Sequence, residues 1–206
     1  MTTFFRTSLT ATLLALSGVA QAEWSANLGF ASEYYYRGIF QESTSASLGV
    51  DYETGGFYAG TWAADVGDGL EVDGYFGYGF DAGDVSLSVG YTGYFYTGDF
   101  DDTYQEINLG ATFGIFSLDV AVGQYDNFDG PTLDYTYYSI GVEKSGFYGK
   151  YGGFTQDFDG EYFETGYGTT VADLDLGVSL VFSNSGLVGE RDEAVLFTVG
   201  KSFDLQ

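Results

Sequence analysis

Glu71 and Asp73 stand two residues apart in "LEVDGYFGYGF" (70–80). On an extended chain, residues i and i+2 share one face, and paired carboxylates on a face can do acid–base chemistry or attract a cation. Asp51 and Glu53 repeat the spacing, while Glu106, Asp119, Glu143, Glu164 and Asp175 fall singly on similar alternating stretches. Behind three tyrosines in "SEYYYRG" (32–38) comes Arg37, one of only 6 Lys and Arg against 30 Asp and Glu. Its placement has to be explained by the solvent each side chain meets. Catalysis is the weaker reading of the acids. The chain has no histidine and no cysteine, so no Ser–His or Cys–His pair can form and the commonest metal ligands are missing. Acids at i and i+2 are usual on any wetted strand face. We therefore expect no catalytic residue, no metal site, no cofactor and no enzyme.

The formal net charge of −24 repels nucleic-acid phosphate, and no basic stripe offsets it. Disorder is not implied, because aromatics make up 19% of the chain and disordered segments carry few of them. Residues 1–22 read as a secretory signal peptide: Arg6 near the start, an apolar stretch from Leu9 to Val19, and Ala20-Gln21-Ala22 as the cleavage pattern. Residues 23–206 then form a single domain. No later window is apolar for long enough to be a spanning helix.

That domain reads as strand after strand. In 70–80, Leu70, Val72, Phe76, Tyr78 and Phe80 alternate with acids and glycines, and "VSLSVGYTGYF" (85–95) repeats the scheme. About twelve such segments follow one another, near 24–36, 44–54, 57–65, 70–80, 85–96, 104–115, 116–125, 134–143, 147–157, 161–171, 174–182 and 193–203. Most exceed the 5–6 residues usual in soluble proteins and match the roughly 9–11 that a tilted transmembrane strand needs. Tight connectors such as "TGG" (54–56) and "EKSG" (143–146) alternate with longer acidic ones such as "GDFDD" (98–102) and "DNFDGPTL" (126–133), as in outer-membrane barrels. A soluble β-sandwich shows the same period of two with its faces reversed. Strand length and connector alternation favour an all-β, up-and-down antiparallel transmembrane barrel.

With the first strand running to residue 36, Trp24, Tyr34 and Tyr36 fall on the lipid face as an aromatic girdle. Tyr35 and Arg37 fall on the other. The lumen set is Glu33, Arg37, Asp51, Glu71, Asp73, Glu106, Asp119, Lys150, Glu164 and Asp175, so the pore is predicted to be acidic, with Arg37 offsetting some of the repulsion. The alternative for Arg37 is a turn arginine reaching to water.

Ser32-Glu33-Tyr34-Tyr35-Tyr36-Arg37-Gly38, an S-x-Y-x-x-R-G pattern, is followed by "SLGVDYETGGFYAGTWAADV" and "LEVDGYFGYGF". Together these resemble the TorF family of porins, exported to the outer membrane of Gram-negative bacteria, most firmly over 24–125. The resemblance implies a small porin-type barrel and brings no catalytic residues with it. The expected function is passive diffusion of ions and small solutes, with cations favoured by the acidic lumen. The alternative is a non-conducting barrel that binds or anchors through acidic outer loops such as "QYDNFDG" (124–130). Outer-membrane lipid and lipopolysaccharide are the expected surroundings; oligomeric state is not legible.

Overall fold

A computed structural model describes residues 22–205; apart from its last position, the expected signal peptide lies outside the described residues. The chain enters on β1 (Glu23–Ala31), followed by two short strands, β2 (Tyr34–Tyr36) and β3 (Ile39–Glu42). Next come β4 (Ser45–Thr54), β5 (Phe57–Asp65), β6 (Leu70–Ala82), β7 (Val85–Thr97) and β8 (Tyr104–Phe113). The series ends with β9 (Phe116–Tyr125), β10 (Leu133–Lys144), β11 (Phe147–Gln156), β12 (Glu161–Val171), β13 (Leu174–Ser183) and β14 (Asp192–Leu205). All but β2 and β3 close into one antiparallel barrel of twelve strands, in which β1 pairs with β4 on one side and with β14 on the other.

Closure leaves no unpaired strand edge, the condition for sheet to sit in hydrocarbon. The β6–β7 pair runs unbroken from Leu70↔Thr97 to Ala82↔Val85, which at ~3.3 Å per residue and a tilt of ~40° is about 30 Å of height. One end carries five two-residue hairpins, the turns of Gly55-Gly56, Gly83-Asp84, Gly114-Ile115, Ser145-Gly146 and Ala172-Asp173. At the other end are the longer acidic connections and a four-residue helical turn, α1 (Ser185–Val188), capped by the Asn184 side chain. Tight turns face the periplasm in outer-membrane barrels and long loops face outward.

The inside-out inventory settles what periodicity alone could not. Leu28, Leu48, Phe76, Phe95, Leu109, Leu118, Ile140, Phe163 and Phe197 lie on the outer surface, while Glu71, Asp73, Glu106 and Ser139 are buried within. A soluble barrel would invert this. An apolar outer belt around a polar interior is the arrangement of an outer-membrane barrel. Trp24 lies exposed on the belt at the tight-turn end, its ring 4.9 Å from that of Tyr52. Lys201, which breaks the apolar alternation of β14, lies over the ring of Phe203 at 5.4 Å, a snorkelling geometry.

The first strand differs from the sequence reading. It ends at Ala31, and residues 34–42 leave the wall to form the separate β2–β3 hairpin. Tyr34 and Tyr36 are therefore not part of a lipid girdle. Alternation survives locally, but a strand that has left the barrel no longer has a lipid face.

Replacing a belt residue at mid-height should be costly in a depth-dependent way. Leu109, half exposed on β8, is such a site. Leu109→Arg is expected to lower barrel stability by about 2–4 kcal/mol, read by denaturant unfolding in lipid vesicles, whereas Leu109→Val should change it little.

Candidate functional site in the lumen

The hairpin turns on Arg37-Gly38, with Tyr36 and Ile39 paired across it. Both central residues have positive φ, 51° and 81°, as a type I′ turn demands. Gly38 meets that demand freely, and it is also short of room: a Cβ there would fall 2.5 Å from the Tyr162 side chain. For Arg37 the left-handed conformation costs roughly 1–2 kcal/mol. The compensation lies at the end of its side chain.

The Arg37 guanidinium donates to both oxygens of Glu106 on β8, at 2.8 and 2.7 Å. The pair is sealed, with side-chain exposures of 12% and 0%. A planar fork on a carboxylate is the strongest ion-pair geometry available to a side chain. The guanidinium also lies 4.0 Å from the ring centre of Tyr137 and 4.8 Å from that of Tyr36, within cation–π range. Tyr94, Asn108 and Tyr135 complete the shell by donating to Glu106 at 2.7, 2.7 and 3.0 Å. Burial opposes the charge on Arg37, but the Glu106 carboxylate outweighs it and raises the guanidinium above its ordinary pKa. It stays charged.

The rest of the hairpin is fastened by neutral donors. Tyr34 donates to Glu71 at 2.7 Å, Tyr96 from β7 donates to the other Glu71 oxygen at 3.0 Å, and the Tyr36 and Tyr94 hydroxyls meet at 2.6 Å. Burial first, and the Glu71 charge second, push the Tyr34 hydroxyl well above its usual pKa, so it remains a donor. Ser183 donates its hydroxyl to the Gly38 carbonyl at 2.5 Å. At the base, the Ser32 amide donates to the Phe197 carbonyl and the Phe197 amide donates to the Ser32 hydroxyl, both at 2.9 Å. Ser32, Tyr34, Arg37 and Gly38, the named positions of S-x-Y-x-x-R-G, thus each fasten the hairpin inside the barrel. Tyr35, on the opposite face, donates to Asp192 at the start of β14 at 2.6 Å.

Below and beside the tip, Tyr125, Tyr135, Tyr137, Phe154 and Tyr162 form a buried aromatic cluster with Ala121, against which Ile39 of the hairpin, Phe158 and Leu187 pack. The loop half of the lumen is filled. Toward the tight turns the inward positions mix small residues, such as Ser88 and Ser117, with tyrosines: Tyr58 lies against Gly77 and Gly90, and Tyr148 against Gly166.

Of the residues read as pore-lining, Arg37, Glu71, Asp73 and Glu106 are drawn together under the hairpin. The others are spread along the wall, each with its own arrangement. Asp51 accepts from Tyr75 and Asn27, Asp119 from Ser139, Glu164 from Tyr148, and Asp175 from Thr170. Lys150 on β11 is the register partner of Glu164 on β12, and Glu33 lies half-buried in the link between β1 and β2. Among the described residues, Asp73 alone is 0% exposed with neither carboxylate oxygen hydrogen-bonded. In the outer loop 126–130, Gly130 donates to the Asn127 carbonyl and Asn127 and Phe128 take positive φ, which is turn chemistry. No three acids converge to hold a metal ion among the described residues.

Sequence reasoning missed Tyr94, Tyr96, Tyr135, Tyr137 and Trp62. Alternation had already put Tyr94 and Tyr96 opposite Tyr91 and Phe95, so a signal existed for them. Trp62, whose ring meets that of Tyr34 at 5.8 Å, lies on a strand with small residues on both faces and gave none.

Arg37→Ala leaves Glu106 buried without its counter-charge and should destabilise the barrel by about 3–5 kcal/mol. The double variant Arg37→Ala/Glu106→Ala should recover part of that loss. Urea unfolding gives the coupling, and faster proteolysis within 32–44 should accompany the single variant; additive losses would show that the pair is not coupled.

Comparison with known proteins agrees on architecture. A membrane protein solved in a study of the mechanism behind in-meso crystallisation superposes with a TM-score of 0.62 over 89% of this chain and 84% of that one, at 10% identity. That likeness shows the fold alone. Pseudomonas aeruginosa OccK2 (OpdF), solved with glucuronate, gives 0.43 at 12% identity over 85% of this chain and 61% of its own. The outer membrane protein opdK of the same organism gives 0.40 at 13% identity over 79% and 58%. Scores this low carry no argument about what the chain does. No curated protein matches it by sequence. Residues 16–118, half of the chain and the part that holds the hairpin, Glu71, Asp73 and Glu106, match the description "bacterial protein of unknown function (Gcw_chp)", and the chain belongs to that family.

Proposed function

We propose that the chain is a porin-like outer-membrane channel for ions and small solutes, that its lumen favours cations, and that the β2–β3 hairpin stops it from the loop side. What supports this reading is a closed barrel with an apolar belt around buried polar side chains, Glu71, Asp73 and Glu106 among them, and one short hairpin held inside. The S-x-Y-x-x-R-G resemblance to TorF porins points the same way. So does the charge: with low-dielectric walls around them, carboxylates concentrate field along the axis and draw in cations.

The second reading, a non-conducting barrel with a binding or anchoring role, is favoured by the plug itself. Arg37, Tyr34, Tyr36 and Gly38 all have partners, and nothing in that network demands opening.

Planar-bilayer recording under a KCl gradient separates the two. The folded mature barrel should show small or infrequent steps, and Arg37→Ala should raise conductance several-fold or lengthen the open time, with reversal on the cation side. Folded wild-type and Arg37→Ala barrels that both pass no current would end the channel reading and leave the binding barrel.

A further inference from the structure

The hairpin answers every acid it meets except Asp73. Its side chain points inward from β6, is 0% exposed, and has no hydrogen-bond partner on either oxygen. Trp62 on β5 and Tyr94 on β7 are its register neighbours, and Glu71 and Tyr75 flank it on its own strand. Tyr34 packs edge-on to Trp62 and donates to Glu71. The neighbouring charges that reach Asp73 are those of Glu71, Glu106 and Arg37, and Arg37 already gives its fork to Glu106. Three carboxylates, Glu71, Asp73 and Glu106, thus share one guanidinium, and it is Glu106 that engages it. A buried carboxylate in that position is neutralised by a proton or matched by a positive charge from outside the fold.

We propose that Asp73 is a monovalent-cation site in the lumen beneath the hairpin. The class of ion follows from the donors. Calcium takes six to eight oxygens from several carboxylates, and no three acids converge anywhere among the described residues. One carboxylate with two free oxygens, beside the doubly bonded Glu71 and aromatic neighbours, suits a weakly hydrated alkali or ammonium ion. The proposal relies on the channel reading for how the ion reaches the site; binding itself does not require conduction. Among the lumen acids this site has a distinct role, because Asp51, Asp119, Glu164 and Asp175 each have a hydroxyl to accept from.

The test uses the folded mature barrel in detergent. KCl replaces N-methylglucamine chloride at constant ionic strength, and the unfolding midpoint is followed for wild type, Asp73→Asn, Asp73→Ser and the wall control Asp119→Asn. We expect a saturable upward shift with K⁺ in wild type and Asp119→Asn, lost in both Asp73 variants. In bilayers, Asp73→Asn should lower the K⁺ over Cl⁻ permeability ratio several-fold. A wild type indifferent to K⁺ would mean that a bound proton keeps the carboxyl neutral, and the proposal falls even without a foldable variant. A K⁺ shift that persists in the Asp73 variants puts the site elsewhere and also overturns it. K⁺ stabilisation in a barrel that passes no current would uphold the site and refute the channel, while current without any Asp73 effect would do the reverse.

Discussion

Hydrocarbon offers a backbone amide no hydrogen-bond partner, and the whole structure follows from that. Strands can cross only if every edge is paired, so the twelve must close, with β1 joining β4 and β14. Closure then assigns the faces. The apolar set of each strand gains by facing lipid, and the polar set is left with the interior. In a chain with 30 acids and 6 Lys and Arg, the interior becomes a place where carboxylates must find partners.

Cations are too few to serve, so tyrosine hydroxyls take most of the work. Tyr34 and Tyr96 serve Glu71, Tyr94 and Tyr135 serve Glu106, Tyr75 serves Asp51 and Tyr148 serves Glu164. A neutral donor stabilises an anion without cancelling it, which offsets part of the cost of burial. Glu106 is answered by a full charge as well, and that charge arrives on a tether. The Arg37 fork and the Tyr137 ring hold the hairpin tip and offset the cost of arginine in a left-handed turn position.

Much of the barrel was legible. The positions of twelve segments, their lengths and the alternation of tight and long connections all follow from a period of two interrupted by turn residues, and the closed barrel has those features. The misreading at Ser32–Gly38 has a plain cause. Alternation records which side chains share a face, and it looks the same whether a strand stays in the wall or folds inward. Arg37-Gly38 is also a faint turn signal, because the first position of such turns is usually asparagine, aspartate or glycine. Assigning Tyr34 and Tyr36 to a girdle was the ordinary expectation for aromatics at a strand end; the hairpin turned them toward Glu71 and Tyr94 instead.

What the sequence determined by itself was local: strand periodicity, turn positions, net charge, and the absence of histidine and cysteine chemistry. These depend on residues close together in the chain, where stereochemistry alone sets the outcome. What only tertiary structure decided was which carboxylates matter. Glu71, Asp73 and Glu106 lie on two different strands, and Arg37 reaches them from a third segment 69 residues before Glu106. Whether an acid is solvated, bonded by tyrosine, paired with arginine or left without a partner depends on what closure and the inward hairpin bring within about 3 Å of it. Spacing along the chain carries no record of that distance.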